Sequence, residues 1–142
     1  MAIKTRVLRG QLAANEYRKL IIDDGNFNQG FRVTRFVCAG DPAGSSQEIA
    51  VRLSTEVPNS AWDWGDSREI AWASTRQTVE ATWGGWDGAI DTTAVVLQEM
   101  WIDAKSSGTG AVNINYLIEL EPVTLTDNEA VLVLIKENSQ DV

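Results

Sequence analysis

Residues 111–123 read AVNINYLIELEPV. Val112, Ile114, Tyr116, Ile118 and Leu120 share one parity, and Asn113, Asn115, Glu119 and Glu121 share the other. A β-strand points successive side chains to opposite faces, so this alternation marks a strand with one buried face. An amphipathic helix would instead need apolar residues three and four positions apart. Pro122 has no backbone N–H to give to a ladder, which predicts that the strand ends there or runs at a sheet edge.

The same period recurs on the N-terminal side. In EIAVRLST (48–55), Ile49, Val51 and Leu53 oppose Ala50, Arg52 and Ser54. In TAVVLQEMWIDA (93–104), the longest β-like stretch, Val96, Met100 and Ile102 oppose Val95, Leu97 and Trp101. FRVTRFVCA (31–39) has apolar residues on both parities, which predicts a central strand. At the start, Ile3, Thr5 and Val7 alternate with Lys4, Arg6 and Leu8; Lys19–Ile22 is a short apolar run, and REIAWAST (68–75) and TVEATW (78–83) read as two more strands. Turn chemistry separates them: Asp23-Asp24-Gly25-Asn26, GDPAGSSQ (40–47), VPNSAWDWGDS (57–67), GGWDG (84–88) and SSGTG (106–110). Seven or eight short strands at this spacing, with no long helical stretches between them, predict an all-β sandwich of jelly-roll type, one domain over residues 1–142.

The last segment changes character. Thr126 and Glu129 have the spacing of a capping box, in which each side chain satisfies a free N–H of a first helical turn. AVLVLIKEN (130–138) follows without Gly or Pro, so a short C-terminal helix is expected.

Composition narrows the function. The chain has no histidine and one cysteine. Ser-His-Asp and Cys-His catalysis are therefore excluded, as is a zinc site built from Cys and His. Cys38 lies in an apolar strand-like run and reads as packing. Lys105-Ser-Ser-Gly-Thr-Gly has a phosphate loop's composition but places Lys before the glycines, so it is not one. Asp63, Asp66, Glu69, Asp87 and Asp91 could offer oxygens to calcium, but their spacing does not fit an EF-hand, and Asp in turns commonly bonds its own backbone. A carboxylate pair for glycoside hydrolysis is conceivable in a domain that announces no deep cleft. No enzyme, cofactor or metal is expected. No apolar run approaches the roughly 20 residues of a membrane span, and the start lacks the apolar stretch of a secretory signal.

The formal net charge is −8. Residues 1–35 hold seven basic and three acidic groups, net +4, leaving five basic and 17 acidic groups, net −12, in the remainder. The acidic body repels nucleic acid. The basic start, with Lys4, Arg6 and Arg9, suits an acidic protein surface.

Five of the six tryptophans lie within residues 62–86. Trp72 and Trp101 sit in strand patterns and are expected in the core. Trp62, Trp64, Trp83 and Trp86 sit in turn-rich segments, where large rings form either a protein interface or a stacking platform for a glycan.

IKTRVLRG (3–10), IIDDGNFNQGFRV (21–33), WDWGDSREIAWAS (62–74) and LIKENSQDV (134–142) together resemble small virion structural proteins of marine tailed bacteriophages. The resemblance spans most of the chain and lies in overall pattern. It implies a head decoration or cement protein, made in the host cytoplasm and resident in the virion, that binds other virion proteins, above all the major capsid protein, and itself as a homo-oligomer. It carries over no catalytic residues. Trp62, Trp64, Trp83, Trp86, Lys4, Arg6 and Arg9 are then the expected contact residues. A carbohydrate-binding module, or a tail or fibre component with a Trp platform, is the alternative.

Overall fold

A computed structural model of the chain describes residues 5–22, 25, 28–41, 47–59, 62–77, 82–84, 88–106 and 113–138. Among the described residues there are nine strands: β1 (Arg6–Ala13), β2 (Tyr17–Ile21), β3 (Gln29–Asp41), β4 (Gln47–Ser54), β5 (Glu69–Gln77), β6 (Thr82–Gly84), β7 (Ala89–Ile90), β8 (Glu99–Ser106) and β9 (Asn113–Thr124). One helix, α1 (Asp127–Asn138), follows. Two antiparallel sheets result, one in the order β1-β9-β3 and one in the order β2-β8-β4-β5-β6, with β7 also on β5.

The pairings nest. β1 runs against β9, β2 against β8, and β4 against β5, while β3 is bridged to residue 96 at Phe31. A chain folded as one long hairpin and then wrapped into two sheets is a jelly roll, so the expected sandwich is present with that strand order. Leu12, Phe31, Val33, Phe36, Ile114, Ile118 and Leu120 of one sheet meet Ile49, Val51, Leu53, Ala71, Ala73, Met100 and Ile102 of the other, all buried. Each large side chain so buried contributes on the order of 1.5–3 kcal/mol before entropy is counted. Arg18 spans the open edge between the sheets, its Nη1 donating to the Tyr116 hydroxyl at 3.4 Å.

Four local expectations are corrected. β3 is the outermost named strand of its sheet. Its register shifts between Val33 and Arg35, leaving Thr34 as the extra residue of a bulge. That slip brings Phe31, Val33 and Phe36 to the same buried face, so the apparent two-sided pattern is one face read through a bulge. β9 runs through Pro122 although it is the middle strand. Phe31, opposite Pro122, turns both of its backbone groups away to Val96, at 2.8 and 2.9 Å. The missing N–H therefore points to the other side of β9, beyond the last β1 pair, Arg6 with Leu120. In β1 the inward parity is Arg6, Leu8, Gly10 and Leu12, while Val7 is exposed. The longest β-like stretch is split: the strand proper begins at Glu99, and Val96 joins the opposite sheet through its bridge to Phe31.

The capping box forms as expected. Glu129 Oε1 accepts from the Thr126 N–H at 3.0 Å, and Thr126 Oγ1 accepts from the Glu129 N–H at 3.2 Å. The bond from the Thr126 N–H, seconded by the Thr126 hydroxyl, holds the Glu129 carboxyl below its ordinary range. Thr126→Ala is expected to lower stability by about 1 kcal/mol. Urea denaturation checks this; an unchanged midpoint would show that packing alone sets the helix start. The helix seats Ala130, Val133 and Leu134 on Val95, Leu97, Val123 and Leu125.

Candidate functional site

Alternation sends Arg52 of β4 to the outer face of the larger sheet, away from the core. A charged group there is ordinarily solvated, yet Arg52 is only 1% exposed. Its neighbours across the strands explain this. Asp103 of β8 stands opposite Arg52, and Trp72 of β5 stands opposite it on the other side. The Arg52 guanidinium donates to both Asp103 carboxylate oxygens, Nε to Oδ1 at 2.9 Å and Nη2 to Oδ2 at 3.0 Å. Nη1 lies 3.3 Å from Glu69 Oε2, and Nη2 also donates to the Asn59 carbonyl at 2.8 Å.

The connection from β4 to β5 folds back over this cation. Trp62 lies against the guanidinium, 4.9 Å from ring centroid to Cζ, a cation–π contact. Trp64 stacks on Trp72 at 5.1 Å with 27° between planes. Glu69 ties the roof to the sheet: Oε1 accepts from Trp72 Nε1 at 2.9 Å, and Oε2 from the Asp63 N–H at 2.8 Å. Asp63 and Asp66 fix the turn by accepting from the N–H groups of Gly65 and Arg68, two residues on. Arg68 further bonds Asp66 and Glu56, and its side chain is the first reason the Asp66 carboxyl lies below its ordinary range. Asp91 makes a similar turn with Thr93. The loop carboxylates considered for calcium are thus engaged in turn and ion-pair bonds at Asp63, Asp66, Glu69 and Asp91; Asp87 lies outside the described residues. Among the described residues no group of three or more possible metal ligands gathers.

Beside this roof lies a cleft of about 180 Å³, lined by Asn15, Glu16, Tyr17, Pro58, Asn59, Asp103, Ala104 and Lys105. Burial pushes the Asp103 carboxyl above its ordinary range, with Arg52 pulling against it. Tyr17 leans on Trp101 at 5.7 Å and 58°, and the Lys19 ammonium sits 5.9 Å from the Trp101 ring centroid while pairing with Glu99 at 3.1 Å. Tyr17, Trp101, Trp62, Trp64 and Trp72 therefore belong to the outer face of one sheet. Trp72 is buried as expected, but beneath Trp64 and outside the apolar cluster between the sheets; Trp101 is part-buried on the outer face and is not part of that cluster either.

The expected contact residues divide as follows. Trp62 is half-buried over Arg52, its Nε1 buried without a hydrogen-bond partner, and Trp64 is 54% exposed. Arg9 is exposed on β1, whereas Arg6 turns inward to donate to the Ile22 carbonyl at 2.7 Å and to lie over Phe31. Trp83 sits in β6 opposite Arg76; its side chain, Trp86 and Lys4 lie outside the described residues. Cys38 is half-buried, and burial raises its thiol to about 11, which keeps it protonated and unreactive near neutrality. Sequence reasoning missed Arg52, Glu69 and Asp103 as one cluster. The available signal was an arginine and an aspartate on the outward parity of two strands, but pairing of those strands is not written in either segment.

The sequence matches no protein-family model and no curated protein.

Proposed function

We propose that this chain is a structural protein of a bacteriophage virion, a head decoration protein that works through its surfaces and performs no reaction. It is made in the host cytoplasm, and its partners are other virion proteins, foremost the major capsid protein. One observation carries the proposal: the outer face of the larger sheet is an aromatic field of Tyr17, Trp101, Trp62 and Trp64, rimmed by Lys19, Glu99, Arg68 and Asp66. Aromatic residues surrounded by a polar rim are the composition of protein interfaces. The resemblance to small phage virion proteins points the same way, and jelly rolls occur in viral capsid proteins.

The same fold occurs in lectins, and the cleft beside Tyr17, lined by amides, carboxylates and Lys105, favours a second reading as a glycan site. One experiment separates them. Virions are imaged by electron cryo-microscopy, and the isolated protein is titrated with host polysaccharides while tryptophan fluorescence is followed. Docking predicts density on the head with Trp64 and Tyr17 covered, and a Trp64→Ala/Tyr17→Ala variant that folds normally but is incorporated at least tenfold less. Density elsewhere in the particle, or this face in open solvent with a saturable glycan response, overturns it.

A further inference from the structure

The cleft beside the aromatic field has an uneven charge at its floor. Asp103 and Ala104, which line it, are buried, whereas Glu16, Tyr17 and Lys105 around them are exposed. The Asp103 carboxylate receives its hydrogen bonds from Arg52, and the same guanidinium also pairs with buried Glu69. Two buried carboxylates thus share one cation, a net −1 held out of water. Glu69 has further donors in Trp72 Nε1 and the Asp63 N–H, so the deficit falls on Asp103. Uncompensated charge at low dielectric is costly, and here the group that bears it opens onto a cleft.

Glu16 adds a second carboxylate at the rim, without an ion pair among the described residues. Backbone bonds fix its place: the Ala104 N–H donates to the Glu16 carbonyl at 3.1 Å, and the Asn15 N–H to the Ala104 carbonyl at 2.9 Å. Tyr17 stands opposite Asp103 in the β2–β8 ladder and borders the same space. Lys105 also lines the cleft, yet it forms no ion pair with either carboxylate among the described residues.

We propose that this cleft receives a lysine side chain of a partner protein, its ammonium between Glu16 and Asp103 and its stem along Tyr17. Each part of the side chain has a counterpart. The ammonium supplies the missing positive charge, and the methylenes cover the tyrosine ring. Arginine fits less well. Its fork seeks both oxygens of one carboxylate, and on Asp103 that bidentate place is already taken by Arg52. Size favours a side chain over a free ligand, because about 180 Å³ falls below the roughly 300–1,000 Å³ of sites that enclose a whole small molecule. A neutral sugar would leave the deficit at Asp103 in place. Tyr17 is shared with the aromatic field, so the virion reading supplies the partner, while the chemistry of the cleft is tested apart from it.

The isolated full-length protein is titrated with Nα-acetyl-lysine amide while backbone ¹H–¹⁵N NMR shifts are followed. The shifts of Glu16, Tyr17 and Lys105 are expected to saturate with Kd of about 1–10 mM. Nα-acetyl-norleucine amide, the same stem without the ammonium, should not bind, and Nα-acetyl-arginine amide should bind more weakly. Glu16→Gln should weaken lysine binding about threefold. Lys105→Met should tighten it about twofold or more, because a like charge is removed. Both positions are exposed, and unchanged melting curves check that the variants fold. No saturation, equal binding of the norleucine probe, or a weaker Lys105→Met complex overturns the proposal. So does methyl glucoside saturating the same shifts, which would make the cleft a sugar site, or putrescine binding over tenfold tighter, which would assign it to free polyamines. In virions that carry the protein, carbodiimide should couple the Glu16 carboxylate to a lysine of another chain; no such product overturns the partner's part. A protein absent from virions would leave the solution result standing, so the two failures are distinct.

Discussion

Arg52→Met is expected to destabilise the protein by about 3–5 kcal/mol. In a domain of this size that corresponds to a fall of roughly 10–15 °C in melting temperature. The loss does not come from the apolar contacts of the side chain, which methionine largely keeps. It comes from Asp103 and Glu69, which are both buried and share this single guanidinium. Two carboxylates without their cation must take up protons or draw water into the sheet face. The roof suffers as well, because Trp62 lies on the cation and Asn59 accepts from it. Thermal unfolding with tryptophan fluorescence measures the effect. Neutralising both partners in the same background, Arg52→Met with Asp103→Asn and Glu69→Gln, should recover more than half of the loss. A single variant as stable as the wild type would show that the cluster is solvated in practice. The linkage has a definite sign. A carboxyl whose folded value is raised opposes folding once it ionises, so the Asp103 contribution is most favourable in acid. It declines as pH climbs from the ordinary aspartate range through the folded value.

Gly88→Ala is the second large effect. Gly88 has φ of 68°, and a Cβ there would lie 2.3 Å from the Phe36 carbonyl oxygen. The obstacle is backbone in β3, so no side-chain rotation relieves it. Left-handed strain of about 1–2 kcal/mol adds to an overpacking penalty of about 1–3 kcal/mol. Together they are expected to lower the urea midpoint well beyond the loss from Thr126→Ala. Gly25→Ala is the matched control: its φ is 86°, but nothing lies within 4 Å of the added carbon. It should show the strain alone. Equal losses at the two sites would mean that β3 moves aside for the methyl group.

The sandwich was legible because its strands state their inward parity plainly. Ile49, Val51 and Leu53, and Ile114, Ile118 and Leu120, point where alternation places them. The helix was legible from Thr126 and Glu129 alone. Long-range geometry was not. The bulge at Thr34 is a register choice that β9 imposes on β3, and no local pattern announces it. Pro122 misled because tolerance of proline depends on which flank of the strand is paired at that residue. The site was half legible: the tryptophans stood out, but Trp62 sits over a charge that strand pairing alone brings beneath it. Arg6 was read by its charge, and the structure uses its reach to the Ile22 carbonyl.

The nested pairing also sets a timetable for synthesis. β1 leaves the ribosome before the other strands described, yet its partner is β9, with Arg6 opposite Leu120. At about 5–20 residues per second, β1 waits on the order of 5–20 s for that partner. Throughout that interval an unpaired strand with Val7, Leu8 and Leu12 is open to strands of neighbouring nascent chains. Arg6 and Arg9 lie within it, and like charges on identical strands oppose their edge-to-edge association. The basic start of an acidic protein thus has a use before any partner is met: it keeps the first strand solitary until the last one arrives.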